Sequence, residues 1–277
     1  MNDQIFRGNP RVDARPHSAR VYDYLLGGKT HYTADTQAAE QLLATWPGAR
    51  TSARANRRFM RRVTRVLAAE EGIRQFLDLG SGLPAEPNLH QVAQAAAPGA
   101  RVLYADNDPI VLTYAEALLT GTREGRVGYL RADLRQPETV VTAPELHHIL
   151  DMRRPVALCL LAVLHLVADE DDPYAAVAAL VDALAPGSVV VITHPTPDFA
   201  PRVWKELDAA CPTGVLGTAR TEAEVKRFFT GLDLLGPGLV PAHRWRPDDP
   251  DPAGAADPAG ATDADVSLYA GVARKAG

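Results

Sequence analysis

The sequence predicts an α/β fold: a doubly wound, seven-stranded Rossmann-like sheet preceded by a helical N-terminal cap. Three observations carry that expectation. From Ile73 onward, short apolar runs alternate with helix-length amphipathic stretches, the rhythm of strand–helix–strand units. Phe76-Leu77-Asp78-Leu79 runs into Gly80-Ser81-Gly82-Leu83-Pro84, so a buried strand reaches a carboxylate and then a tight turn. Ligands of open α/β sheets bind at that carboxyl edge, and glycines there let a ligand lie on bare backbone. Finally, the residues before Ile73 show helical rather than alternating periodicity.

Residues 1–17 are polar and without periodicity, and are expected to form a loose arm. Ser18 is expected to cap a helix carrying Val21, Tyr22, Leu25 and Leu26, stopped by Gly27-Gly28. A second helix runs from about Thr33 to Trp46 and a third from about Thr51 to Glu71. The third has an apolar stripe of Phe59, Val63, Val66 and Leu67. Its many arginines, Arg54 to Arg65, read as a solvated face, or else as a hold for an anionic acceptor or an acidic partner. Residues 18–72 thus form the cap and 73–277 the ligand-binding domain.

The strands of that domain are expected at 74–79, 101–105, 126–131, 156–163, 188–193, 234–245 and 266–273. Pro84 and Pro87 delay the first intervening helix to about 86–97. Asp108-Pro109 supplies an N-cap and an N1 proline for the next, which reaches Thr120. Pro137 opens an interrupted helical stretch to Met152. Asp172-Pro173 starts a helix to Ala185, Ala200 to Ala210 forms another, and Thr221 with Glu224 makes a capping box. Val156 to Val163 is almost uninterruptedly apolar, as befits a central strand covered on both faces. The stretch 247–265, rich in Ala, Pro, Gly and Asp, reads as a long mobile loop.

Composition narrows the function classes. At 277 residues the chain needs no staples to hold a core. Its two cysteines, Cys159 and Cys211, fit no metal spacing and suggest a reducing, cytoplasmic setting. No apolar run reaches membrane-spanning length. A net charge of −5 argues against general nucleic-acid affinity.

Three acids stand at the ends of successive strands: Asp78, Asp106 and Asp133. Asp78 is an acceptor where a diphosphate binder avoids negative charge, and it suits a cationic amine. Asp106 is placed to accept from two ribose hydroxyls, a use that nicotinamide sites share, or it only shapes the turn before Asp108. The series points to an adenosine-binding edge. A dinucleotide reading competes, because Gly80-Ser81-Gly82-Leu83-Pro84-Ala85 formally fits the G-x-G-x-x-G/A fingerprint. It is weakened by the prolines and by the lack of any Tyr-x-x-x-Lys in the chain. Gly28-Lys29-Thr30 imitates a P-loop but follows a helix, and Asp172-Pro173-Tyr174 is better explained by capping.

The acid-x-Gly-x-Gly turn resembles the first motif of class I S-adenosylmethionine methyltransferases. A wider resemblance joins Ala19-Arg20-Val21-Tyr22-Asp23-Tyr24-Leu25-Leu26-Gly27-Gly28-Lys29, Ala34-Asp35 and Ala55-Asn56-Arg57-Arg58-Phe59. Leu77 to Pro84 with Asn88 and His90, Tyr104 to Pro109, and Pro237-Gly238-Leu239-Val240-Pro241 continue it. Over about residues 18–275 the chain is similar to the actinobacterial S-adenosyl methyltransferase family, once catalogued as a domain of unknown function. The resemblance implies a class I fold and S-adenosylmethionine as cofactor. Asp78, Gly80, Ser81 and Gly82 would then hold its amino-acid end, Asp106 its ribose, and Asp133 with the Leu134 amide its adenine, with Asn107 among the cofactor-binding residues.

The acceptor side is left open by the sequence. His165 and His194 follow the fourth and fifth strands, as weak candidates for a base or as histidines satisfied by backbone. Tyr22, Lys29, His31 and Tyr32 flank the Gly27-Gly28 break and form a candidate lid or acceptor wall, unless the cap is purely structural. A small-molecule methyl acceptor is the expected partner, with no nucleic acid, membrane or metal. A non-catalytic S-adenosylmethionine sensor or scaffold is the alternative, followed by a nicotinamide-dependent oxidoreductase.

Overall fold

A computed structural model of the chain describes residues 15–210, 215–247 and 260–277. The cap opens with α1 (Ser18–Leu26), but its N-cap is His17 rather than Ser18. The His17 Nδ1 accepts from the Ala19 amide, and Ser18 is already the first helical residue, one position too late to cap. Gly27 ends α1 in the left-handed region, at φ 83°. α2 (Thr33–Thr45) follows, then α3 (Ala49–Ala69).

The strands and helices then alternate. β1 (Gln75–Leu79), α4 (Leu89–Ala96), β2 (Arg101–Asp106), α5 (Pro109–Leu118) and β3 (Arg126–Arg131) make the first half. Asp108 caps α5 through the Ile110 amide, as its place before Pro109 predicts. Two short helices, α6 (Pro137–Val141) and α7 (Pro144–Ile149), lead to β4 (Ala157–Leu161), α8 (Pro173–Asp182) and β5 (Val189–Pro195). Last come α9 (Pro201–Ala210), α10 (Glu222–Arg227), β6 (Asp233–Leu234), β7 (Val240–Pro241), α11 (Asp263–Val266) and β8 (Leu268–Arg274).

The sheet runs β3-β2-β1-β4-β5-β8-β6, with β7 also pairing β8. β1 to β5 are parallel and β8 is antiparallel to β5. The strand order reverses between β1 and β4, so a crevice opens at their carboxyl ends. One expected strand, 234–245, is instead two short ones: β6 pairs Arg274 and Ala273, and β7 pairs Ala270 and Tyr269. Gly236-Pro237-Gly238 divides them, because proline has no N–H for the ladder and Gly238 takes φ +91°. Most of the expected arm (residues 1–14 of 1–17) and most of the expected loop (248–259) lie outside the described residues, and His17 at the end of the arm is the cap of α1. At the loop's end, Thr262 and Asp265 form a capping box opening α11, so that part is ordered helix.

Alternation along the strands splits the core in two. Leu77, Leu103, Leu158 and Val190 face α6–α8 and α10, while Phe76, Val102, Ala157 and Val189 face α3 and α4. α3 belongs to that second core through Phe59, Met60, Val63 and Leu67, so this cap helix packs into the sheet domain. The solvated arginine face is overturned as well. Arg58 and Arg62 are buried, and Arg62 donates to the carbonyls of Ala242 and Trp245. The chain from Ala242 to Trp245, together with α11, wraps over that side of α3, so the guanidinium serves as a polar bracket there. Arg54 does remain exposed.

A third apolar cluster joins the cap to α9: Leu25, Leu42, Trp46, Ala49 and Ala53 meet Trp204 and Leu207. Among the described residues no helix is long and apolar enough to cross a membrane, and no group of His, Cys, Asp or Glu is placed to hold a metal.

Candidate active site

A cavity of about 500 Å³ opens at the carboxyl ends of β1, β2 and β4, beneath α1, α2 and α3. That volume falls in the ordinary range for small-ligand sites. Its sheet side is built by the turn after β1. Gly80 and Gly82 take φ 72° and 65°, a region that favours glycine. A Cβ on Gly80 would lie 2.2 Å from Val163, so the loop after β4 closes against bare backbone. The Gly80 amide donates to Ala105 O (2.8 Å), tying the turn to the end of β2.

The three acids differ in what engages them. Asp106 is 7% exposed and accepts from the Gly82 amide (2.9 Å) and the Asp108 amide (3.0 Å). Burial raises its pKa, and those two amide bonds oppose the rise. A carboxylate has about four acceptor positions, so two remain for hydroxyl donors. Asp133 is held in a fork by Arg135, whose Nε and NH2 lie 3.0 and 2.6 Å from its oxygens, and this keeps its pKa below the usual carboxylate range. Asn107, exposed at the rim, contributes in the same direction.

Asp78 is unlike the other two. It is 8% exposed, yet no hydrogen-bond donor among the described residues reaches its carboxylate. Burial pushes its pKa up to about 7, against the pull of Arg57, and Asp106 adds to the rise. Arg57 braces the segment beyond the turn, its NH2 donating to the carbonyls of Ala85 and of Pro87 (2.9 Å). Its Nε is buried without a hydrogen-bond partner among the described residues. A buried anion and a partly engaged cation therefore share one end of the cavity.

The candidate residues divide clearly. Asp78, Gly80, Ser81, Gly82, Asp106, Asn107, Asp133 and Leu134 all line this one cavity, with Tyr22 and His165. Lys29, His31 and Tyr32 do not line it. Asp23 takes the Thr30 amide and His31 Nδ1 (2.8 and 3.2 Å), Asp35 takes the Tyr32 amide, and Lys29 is exposed. His194 is buried beside the cavity with both ring nitrogens occupied. Its Nδ1 lies 2.8 Å from Pro195 O and its Nε2 2.9 Å from an Arg220 nitrogen, so Nδ1 donates and Nε2 accepts. Burial, with Arg220 adding to it, lowers the His194 pKa to about 4. The satisfied-histidine reading is the one that fits His194. Burial likewise lowers His165 to about 3, with His194 and Arg220 contributing, so it is neutral near pH 7.

Sequence reasoning missed several residues here. Arg220 is 2% exposed and donates to Leu164 O, Val167 O and Asp169 as well as His194, clamping the loop that carries His165. Trp46 and Trp204 meet at 5.5 Å between ring centres on the cavity wall. Asn56 links the cap to the sheet, donating to the Tyr22 hydroxyl (2.9 Å) and accepting from Thr193 Oγ1 (2.7 Å). Only Asn56 and Arg57 had a signal, inside the block Ala55 to Phe59.

Comparison with known proteins agrees with this architecture. The family model described as S-adenosyl methyltransferase matches residues 7–276. A DUF574 family protein from Streptomyces avermitilis MA-4680 is 44% identical, with a TM-score of 0.89 over 95% of this chain and 98% of its own. A structure from Thermobifida fusca YX, solved as a candidate methyltransferase, is 39% identical with a TM-score of 0.86, over 97% of this chain and 98% of its own. The plantazolicin methyltransferase BamL, solved with a triazolic desmethylPZN analogue and S-adenosylhomocysteine, shares the fold at 10% identity. Its TM-score is 0.56, over 93% of this chain and 95% of its own. No curated protein matches the chain. With nearly the whole length matched, the chain belongs to the S-adenosyl methyltransferase family, as a class I enzyme with S-adenosylmethionine as its cofactor.

Proposed function

We propose that this chain transfers the methyl group of S-adenosylmethionine to a small-molecule acceptor held between the cap and the carboxyl edge of the sheet. The observation that carries the reading is the Asp78–Arg57 pair. A buried carboxylate without a donor, beside a guanidinium whose Nε is unengaged, complements the ammonium and carboxylate of an amino-acid tail. Asp106 has acceptor positions left for ribose hydroxyls, and the Gly80–Gly82 turn leaves the approach bare. Asp133, with the Leu134 amide beside it, would meet the adenine edge. When bound, the cofactor supplies a methyl carbon made electrophilic by its sulfonium. The residues around it position the acceptor in line and exclude water, which such a displacement needs more than a strong base. Neutral His165 and fully engaged His194 are consistent with that demand.

Calorimetric titration with S-adenosylhomocysteine and with NAD tests the reading. Micromolar S-adenosylhomocysteine binding that Asp78→Asn abolishes is expected. Binding of NAD alone, or S-adenosylhomocysteine binding indifferent to Asp78→Asn, would overturn it.

A further inference from the structure

The cavity has two chemically different halves. Its charged lining residues, Arg57, Asp78, Asp106, Asp133 and Arg135, all belong to the sheet-edge half that the proposed function assigns to the cofactor. The cap half is lined by Leu25, Leu42, Trp46, Ala53, Trp204 and Leu216, members or close neighbours of the cap's own apolar cluster. Among the described residues no Asp, Glu or Lys lines it.

The polar groups of this wall are mostly spent on one another. The Tyr22 hydroxyl donates to Ala53 O (3.1 Å) while accepting from Asn56, whose Oδ1 in turn accepts from Thr193. Trp204 Nε1 donates to Ser267 Oγ (3.0 Å). The imidazole of His165 is different: its Nδ1 is buried without a hydrogen-bond partner among the described residues. Its position is fixed from both sides. Arg220 holds the carbonyls of Leu164 and Val167, and the His165 carbonyl accepts from the Thr218 amide (2.7 Å). Gly217 lies so close that a Cβ there would meet the His165 carbonyl oxygen at 1.9 Å. The same segment delivers Leu216 to the tryptophan wall. His165 thus stands at the seam between the two halves.

A charged acceptor entering the cap half would lose its hydration without gaining a counter-charge. A flat apolar molecule would instead gain contact with two indoles and a phenol ring. Resting on the methyltransferase reading above, we propose that the acceptor is an uncharged aromatic small molecule, seated on the Trp46–Trp204 wall, with one polar substituent hydrogen-bonded to the His165 imidazole.

The test uses the full chain saturated with S-adenosylhomocysteine and three probes of similar size, 2-naphthol, 2-naphthoate and 2-naphthylmethylammonium, with 2-methylnaphthalene as an apolar control. Binding is read by calorimetry. The neutral probe should bind about tenfold or more tighter than either ion. His165→Ala should weaken 2-naphthol about five- to tenfold and leave 2-methylnaphthalene unchanged, a contrast that general loosening of the pocket would not give. Equal or tighter binding of a charged probe overturns the inference, as does the failure of all three to bind a protein that does bind S-adenosylhomocysteine. An equal loss for 2-naphthol and 2-methylnaphthalene on His165→Ala overturns the role of His165. Failure to bind S-adenosylhomocysteine in the first place counts against the proposed function instead, so the two failures are told apart.

Discussion

The backbone amide of Gly82 donates to Asp106 Oδ2 at 2.9 Å, so the turn after β1 and the acid ending β2 form one hydrogen-bonded unit. With the Asp108 amide on the other oxygen, Asp106 shapes the protein and leaves acceptor positions for a ligand. The two roles posed as alternatives by the sequence are compatible in one carboxylate. Asp106→Ala should therefore weaken S-adenosylhomocysteine by roughly 1.5–3 kcal/mol, the range for charged hydrogen bonds. It should also lower the melting temperature, since two amides near the surface of the cleft lose their acceptor. Asp106→Asn keeps one acceptor oxygen and should lie between. Unchanged affinity in a folded Asp106→Ala protein, measured by calorimetry, would remove Asp106 from the site.

On the proposed assignment of Asp78 to the cofactor's ammonium, its elevated pKa should make cofactor binding depend on pH. In the ligand-free protein the carboxyl titrates near 7, mainly through burial. An ammonium needs it ionised, so affinity should be flat above about pH 8 and fall below 7, approaching tenfold per pH unit. The stability effect has the opposite sense. The folded pKa lies above the unfolded value of about 4, so the fold is progressively penalised as pH rises from about 4 to about 7. Asp78→Asn should thus be more stable than the parent at pH 8, by roughly 1–3 kcal/mol, while losing the cofactor. A dissociation constant that does not change between pH 8 and 5.5 would falsify the linkage.

The sheet edge was legible because its signals are local. Asp78, the glycine turn, Asp106 and Asp133 each stand at or just past the end of a strand that an apolar run marks, and parallel winding then brings every strand end to one side. The cap half was not legible, because its wall is made by contacts distant in sequence. Trp46 read as one more apolar position of a helix, and nothing near Trp204 in sequence says that the two rings meet. Arg220 is a lone arginine before a capping box, and only folding brings Leu164, Val167 and His194 to it. The split of the sixth expected strand did have a cue, since Gly236-Pro237-Gly238 sits inside the run. The buried arginines of α3 misled for a physical reason: a helix covered on more than one side has no single solvated face, and backbone carbonyls can satisfy a guanidinium as water would.

Arg220 gives a prediction about the loop that carries His165. Replacing it with Met leaves the Leu164 and Val167 carbonyls without their donor in a buried setting. The cost should be about 2–4 kcal/mol, read from the urea midpoint. Arg220→Lys should recover only part of it, because an ammonium cannot reproduce the guanidinium fork. Little credit belongs to Asp169, which is 69% exposed. An Arg220→Met protein as stable as the parent would show that the loop carrying His165 is held by other means.

The last prediction concerns the cap. Glycines at 27 and 28 suggest a hinge, yet the contacts around them describe a fixed wall. Asp35 is fully buried and accepts from the His17 amide, the Tyr32 amide and Arg20 Nε, all within 2.8 Å. Asp23 holds Thr30 and His31, and none of the three lines the cavity. Gly28 is required there for room, since a Cβ would lie 2.0 Å from the Asp23 carboxylate. Of the four residues once grouped as a lid, Tyr22 alone lines the cavity, and its hydroxyl is tied to Ala53 and Asn56. Amide exchange of residues 27–32 should therefore be the same with and without saturating S-adenosylhomocysteine, while residues 80–82 and 106–108 gain protection. Asp35→Ala should release the segment and cost about 3–5 kcal/mol, as expected when a buried ion pair loses one partner. Ligand-induced protection across residues 27–32 in the parent protein would restore the lid and reject the wall.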